Sequence, residues 1–281
     1  MIHQIRKAIK SIIKQDTPLR KAAESCQHYL FKHAPRYFAW EPDKSFIEID
    51  ITTRCNLRCP NCDRTIVRAP SDEHMSLDQI NRFVDESISM DWEWRRINLL
   101  GGEPTLHPDF NRIVKILLSY REMNPECEIK VLTNGYGAQV KKVLSNLPDS
   151  VNIENSQRTK RAPMFHSQYV APIDVEKFRN DNFSNGCFVI EYCGIGMSRY
   201  GYYCCGAGAA VDRVFGFDIG LKSLSSVTDE ALKKQLKLLC AYCGHYKYNY
   251  NEKWVNTEKA SKSWQNAIDK YNKKRPVLTL Y

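Results

Sequence analysis

The chain is 281 residues long, with 43% hydrophobic and 26% charged residues and a formal net charge of +9. That length supports one substantial core, or one core plus a small appended module. No apolar run approaches the ~20 residues needed to span a bilayer. The first residues, Met1-Ile2-His3-Gln4-Ile5-Arg6-Lys7, lack the apolar stretch and small-residue cleavage site of a secretory signal. A cytoplasmic location is therefore expected. Residues 1–44 hold nine Lys/Arg against four Asp/Glu, and residues 245–281 hold eight against three, which leaves the body between them close to neutral. Solvated helix faces account for such basic ends more simply than nucleic acid does.

Residues 2–14 place Ile2, Ile5, Ile9 and Ile12 at steps of three and four among Lys and Arg, the pattern of an amphipathic basic helix. A second helix is expected over roughly 19–32. Aromatic residues at 37–40 and Pro42 then mark a boundary, so residues 1–45 read as a basic helical extension. From residue 46 strands and helices alternate: a strand over 46–51, a helix from the cap Ser76 to about Ser89, and a strand over 96–100. A helix over 110–120, a strand over 128–133, a helix within 137–147 and a strand over 151–153 follow. Alternation of this kind implies α/β architecture with a parallel sheet, and its chemistry belongs at the C-terminal ends of the strands.

Eleven cysteines without a secretory signal fit thiolate–metal chemistry better than disulfides. Three sit at 55–62, four at 187–205 and two at 240–243, while Cys26 and Cys127 stand alone as candidate buried small hydrophobes. Directly after the first strand comes Cys55-Asn56-Leu57-Arg58-Cys59-Pro60-Asn61-Cys62. Three thiols in eight residues, odd in number, suit a compact metal centre. Three protein ligands to a cubane leave one iron open, as an open position marks catalytic zinc. A zinc knuckle is the alternative, although a gap of three and then two departs from the usual paired spacings of zinc ligands.

Cys55, Cys59 and Cys62 after a first strand resemble the signature of the radical S-adenosylmethionine (SAM) superfamily. Three further segments follow in order. Gly101-Gly102-Glu103-Pro104 ends the second strand and resembles the family's GGEP segment, which implies contact with the amino group of SAM. Thr133-Asn134-Gly135 ends the third and is similar to the segment near the SAM ribose and carboxylate. Asn155–Arg161 follows the fourth; Ser156 is a candidate SAM contact there and Arg158 a candidate catalytic group. Asn61 stands where the family carries an aromatic or apolar residue, which leaves a backbone contact to adenine as its expected role.

Beyond about residue 172 the character changes. A turn at Arg199-Tyr200-Gly201 predicts a β-hairpin, and Thr228 with Asp229 and Glu230 predicts a capped helix to Leu239, followed by Cys240-Ala241-Tyr242-Cys243. Hairpin, helix and terminal C-x2-C resemble the SPASM/Twitch extension, which implies an auxiliary 4Fe–4S cluster. Its ligands would be Cys187, Cys205, Cys240 and Cys243, with Cys193 and Cys204 as rivals or as spare catalytic thiols. Structural zinc, with His245 replacing one thiolate, is the competing reading. The resulting expectation is a partial (β/α)6 TIM-like barrel at 46–180, a hairpin-plus-helix auxiliary module at 181–250 and a basic tail at 251–281.

The resemblance implies an oxidoreductase that cleaves SAM to a 5′-deoxyadenosyl radical, takes hydrogen from a small polar substrate and completes a net oxidation through the auxiliary cluster. A flavodoxin or ferredoxin would supply the electron. Two alternatives stand beside it: a radical enzyme that modifies peptides or epimerises, and a non-enzymatic metal-binding scaffold or sensor.

Overall fold

The computed structural model describes Pro18 and residues 39–157, 168–246 and 259–281. The two helices expected over 2–14 and 19–32, together with Cys26 and Arg158, lie outside the described residues. The elements that position the site are β1 (Phe46–Thr52), α1 (Leu77–Ser89), β2 (Arg96–Gly101), α2 (Phe110–Met123), β3 (Glu128–Thr133), α3 (Ala138–Leu144) and β4 (Asn152–Asn155). After them come α4 (Val189–Cys193), β5 (Ile195–Ser198), β6 (Gly201–Tyr203), α5 (Gly206–Phe215), α6 (Asp229–Leu239) and α7 (Lys262–Lys273). The alternation expected from the sequence is present with small changes at the ends.

The strands form a single six-stranded sheet in the order β4-β3-β2-β1-β5-β6. Its first five strands are parallel, and β6 returns antiparallel to β5. The fold is thus α/β with a parallel sheet, as alternating strands and helices require. The hairpin expected around residue 200 forms, and it joins the main sheet: Ile47, Glu48 and Ile49 of β1 pair with Ile195, Gly196 and Met197 of β5. Four strands come from the β/α repeats and two from the hairpin.

Side chains alternate across a strand and stay on one side across paired parallel neighbours. Ile47, Ile97 and Ile129 make one row, and Ile49, Leu99 and Val131 the next. All six are buried, in one hydrophobic cluster with Ile80 and Phe83 of α1 and Ile113 and Leu117 of α2. Burying each such side chain contributes roughly 1.5–3 kcal/mol. The opposite face is polar: Glu48, Asn98, Lys130 and Asn152 stand in a single row across β1 to β4. A strand written Phe-Ile-Glu-Ile-Asp-Ile-Thr therefore presents oil to the helices and carboxylates to the other side.

Two helices are fixed by their caps. Ser76 and Gln79 form a reciprocal capping box at α1, and Thr228 accepts from the amide of Ala231 at α6. Helix α5 was not expected. Its small residues let it lie close: a Cβ on Gly196 would sit 2.3 Å from the Cys205 carbonyl carbon, and one on Gly208 would touch Leu239 at 3.0 Å. Cys205 is its N-cap, its sulfur accepting from the amide of Gly208.

Candidate functional site

The cysteine loop leaves the C-terminal end of β1, where parallel α/β sheets concentrate chemistry. Cys55, Cys59 and Cys62 are all half-buried. The Cys55 sulfur accepts from the Leu57 amide at 3.4 Å and from the Asn134 side chain at 3.9 Å. Burial pushes the Cys62 thiol up to about 12, with Asp63 adding to the effect. The Cys62 carbonyl accepts from the amide of Thr65 at 2.9 Å and the hydroxyl of Tyr169 at 2.7 Å. Asn61 has φ 53 and is almost fully buried. Asparagine tolerates this left-handed conformation where an aromatic residue resists it. The Asn61 side chain is turned into the protein.

The Gly-Gly-Glu-Pro segment is wedged against this loop. The amide of Gly102 donates to the Thr52 carbonyl at 2.7 Å and that of Glu103 to the Arg54 carbonyl at 2.8 Å. A Cβ would stand 2.3 Å from the Thr52 oxygen at Gly101 and 2.2 Å from the Arg54 oxygen at Gly102. Both glycines are thus required by close approach of two backbones. Pro104 opens a short 3-10 turn. The Glu103 carboxylate is fully buried, and accepts from the Thr133 hydroxyl at 2.8 Å, the Asn134 amide at 2.8 Å and the Thr105 hydroxyl at 2.7 Å. In this arrangement Glu103 ties the second segment to the third, a use that sequence reasoning did not foresee.

Asn134 completes the junction. Its side-chain amide donates to the Asn56 side chain at 2.9 Å, and Asn56 donates to the Tyr136 carbonyl at 2.6 Å. Gly135 has φ +65, and a Cβ there would strike the Asn155 side chain at 2.1 Å. The Ser156 amide and hydroxyl both donate to the Thr133 carbonyl at 3.0 Å. Gly101 ends β2, and Asn61, Gly102, Glu103, Pro104, Asn134, Gly135 and Ser156 lie on the segments that follow successive strands, tied to one another by these hydrogen bonds.

The second group is deeper. Cys187, Cys204, Cys205, Cys240 and Cys243 are all buried, while Cys193 is half-buried. Burial, and then neighbouring sulfurs, push the thiols of Cys187, Cys240 and Cys243 up. For Cys187 the neighbouring sulfur is that of Cys205; for Cys240 they are those of Cys187, Cys243 and Cys205. Cys205 moves the other way: its thiol is pulled down first by a hydrogen bond from Cys204, then by the Gly208 amide and Arg64. Cys204 is pushed up by the same bond. Cys193 is pushed up by burial and then by the Glu48 carboxylate it faces.

Among the described residues, no three His, Cys, Asp or Glu side chains close around one point as a single-ion site does. A cubane spreads its thiolates over separate irons and so suits a looser set. Buried sulfurs such as Cys187, Cys240 and Cys243, whose ionisation burial and neighbouring thiols oppose, have the donor chemistry of a polynuclear cation centre, which reverses that logic by holding thiolates outright. The donor sets at 55–62 and at 187, 205, 240 and 243 both fit.

Sequence reasoning missed a buried charge cluster between the two groups. Arg64 Nη2 lies 2.8 Å from Glu48 Oε2, and Arg64 Nε 3.1 Å from Asp50 Oδ1. Burial raises Asp50 to about 7 even with Arg64 opposing, and Glu48 and Asp63 add to the rise. Two carboxylates share one guanidinium, so Arg64 stays charged. The available signal was a strand with acids at its inward positions, Glu48 and Asp50.

A match to the Radical SAM superfamily covers residues 49–154. Among curated proteins, the GTP 3′,8-cyclase of Sulfurimonas denitrificans is 28% identical over 93 residues, 32% of this chain and 27% of that protein. Molybdenum cofactor biosynthesis protein 1 of Bos taurus is 30% identical over 118 residues, 38% of this chain and 17% of that protein. These matches therefore span well under half of the relatives' length. Among solved structures, BtrN in complex with AdoMet and 2-DOIA is 16% identical with a TM-score of 0.46, covering 79% of this chain and 98% of that one. SuiB of Streptococcus suis bound to precursor peptide SuiA is 17% identical with a TM-score of 0.29, covering 54% of this chain and 34% of that one. Among the described residues no helix is long and apolar enough to cross a membrane. The stretch similar to the Radical SAM superfamily, residues 49–154, thus holds the cysteine triad and the two loops locked onto it.

Proposed function

We propose that this protein is a radical SAM oxidoreductase acting on a small polar molecule, with an auxiliary iron–sulfur centre of the SPASM/Twitch kind. Similarity to the superfamily implies one 4Fe–4S cluster and SAM; Cys55, Cys59 and Cys62 would hold that cluster. When bound, it supplies the electron that splits SAM into methionine and a 5′-deoxyadenosyl radical, the hydrogen abstractor. The chain's own part is to place SAM and substrate and to keep water out. Gly101 and Gly102 bring backbone carbonyls to the rim of the site, Asn134 and Gly135 form its opposite lip, and Glu103 locks the two together. Ser156 extends that lip.

The observation that supports the oxidative reading is the buried set Cys187, Cys205, Cys240 and Cys243, thiols near enough to influence one another's ionisation. Four ligands would close a centre to substrate and fit it for electron transfer. Cys205, whose sulfur accepts from the Gly208 amide at a helix N-cap and whose thiol is pulled down, fits a ligand better than Cys204, whose thiol donates to it. Segment 46–180 would thus build the first centre and 181–250 the second, with 1–45 and 251–281 as basic flanks.

Anaerobic reconstitution tests the proposal. Two cubanes predict about eight irons and eight sulfides per chain, with methionine and 5′-deoxyadenosine released under a strong reductant. About four irons would remove the auxiliary centre, and no nucleoside release would remove the radical chemistry. GTP belongs in the substrate panel beside sugars and cyclitols, because it is named for the curated relatives.

A further inference from the structure

Granted the two centres proposed above, we propose that Arg64 is the positioning residue that couples them. It seats the turn carrying Cys62 and the turn carrying Cys205 on the same pair of β1 carboxylates. Arg64 follows Cys62 by two positions, and its guanidinium reaches back to Glu48 and Asp50 at 2.8 and 3.1 Å with side chains no more than 12% exposed. The same guanidinium abuts the start of α5. A Cβ on Gly206, the residue after Cys205, would stand 2.7 Å from Arg64 Nη1 and 2.7 Å from Glu48 Oε2.

The strand beneath completes the junction. Glu48 pairs in register with Gly196 of β5, and a Cβ on Gly196 would strike the backbone of Cys205 and Gly206 at 2.3–2.4 Å. Helix α5 also grips the first loop directly. Arg213 donates to the Arg64 carbonyl at 2.9 Å, the Ala69 carbonyl at 2.8 Å and the Tyr271 hydroxyl at 2.8 Å. One buried cation therefore stands where the two cysteine turns, β1 and β5 meet. Buried ion pairs add little net stability against apolar replacements, but losing one partner strands the other charge. Removing Arg64 must then disturb both turns together.

The test uses the apo full-length chain, so that it is separable from the test of function. Alkylation by a maleimide is followed at each cysteine by mass spectrometry. Arg64→Met should speed reaction at Cys62 and at Cys205 together, by about tenfold, while Cys127 keeps its wild-type rate. Arg64→Lys, which keeps the charge and loses the fork, should fall between. Acceleration at Cys62 alone overturns the coupling. If Cys127 also becomes reactive, the fold itself has opened, and Glu48→Gln repeats the measurement from the other partner: both turns must again move together, and movement of one alone overturns the proposal. A reconstituted protein carrying Cys55→Ala, Cys59→Ala and Cys62→Ala gives a spectroscopic check. Adding Arg64→Met should change the electron paramagnetic resonance signal of the reduced second centre, and an unchanged signal overturns the proposal. Absence of iron in the wild-type protein would sink the functional reading and leave the alkylation result standing.

Discussion

The two cysteine groups of this protein are built in opposite ways. The first lies on an irregular loop, half-buried, with glycines and an asparagine in left-handed backbone holding it against neighbouring loops. The second gathers thiols from three separate stretches, at 187, 204–205 and 240–243, into the interior at the start of α5 and the end of α6. An open set of three suits a centre that must admit a nucleotide, and a closed set suits one that must exclude everything but electrons. Exposure is thus the structural variable that separates the two groups.

Substitutions can break this contrast. Cys59→Ala should abolish release of 5′-deoxyadenosine, a loss of about a thousandfold or more for a group the chemistry cannot replace. Iron at the second group should persist; concurrent loss of both would show that the groups do not load independently. Cys240→Ala should do the reverse, removing about half of the iron and all oxidised product while nucleoside release continues. Product formation in that variant would reject the acceptor role.

Two further changes sharpen the contrast without touching sulfur. Gly102→Ala forces a methyl to within 2.2 Å of the Arg54 carbonyl oxygen, and should cost ~1–3 kcal/mol as overpacking does. Thermal unfolding and SAM affinity should fall together, and a wild-type melting curve would contradict the close approach. Asp50 is read through pH rather than through loss of a group. Its folded carboxyl is raised to about 7 above an unfolded value of about 3.9, so the folded state holds the proton more tightly. Its contribution to stability is greatest below the unfolded value and declines as pH rises towards 7. Asp50→Asn should flatten that slope, measured as the difference between wild-type and variant denaturation curves from pH 4 to 8.

The strands and helices of the first half were legible because each is periodic: Phe46–Thr52 alternates, and Ser76 announces α1 with its capping partner. The order of cysteine triad, double glycine and Asn-Gly was legible for the same reason, as each ends a strand. Helix α5 was not, because two glycines in its first turn weaken the helical signal of the alanines and hide their purpose, close approach to Gly196 and Leu239. Arg64 was hidden in another way. Its partners are 14 and 16 residues upstream on a strand, and the arginine that holds its carbonyl is 149 residues downstream. Glu103 was legible as part of a motif, but not its hydrogen bonds from Thr133, Asn134 and Thr105, because two of those partners lie about 30 residues further along the chain.

The place of β5 beside β1 bears on how the chain acquires its structure. The first regular strand of the sheet finds one of its two neighbours nearly 150 residues later, and so distant a pairing delays closure of the sheet. Until residues 195–198 are made and docked, β1 offers bare amides and carbonyls along that side, the surface on which nascent chains aggregate. A fragment ending after β4 would inherit that raw flank permanently. Expressing residues 46–180 alone should give insoluble material, for reasons that have nothing to do with iron.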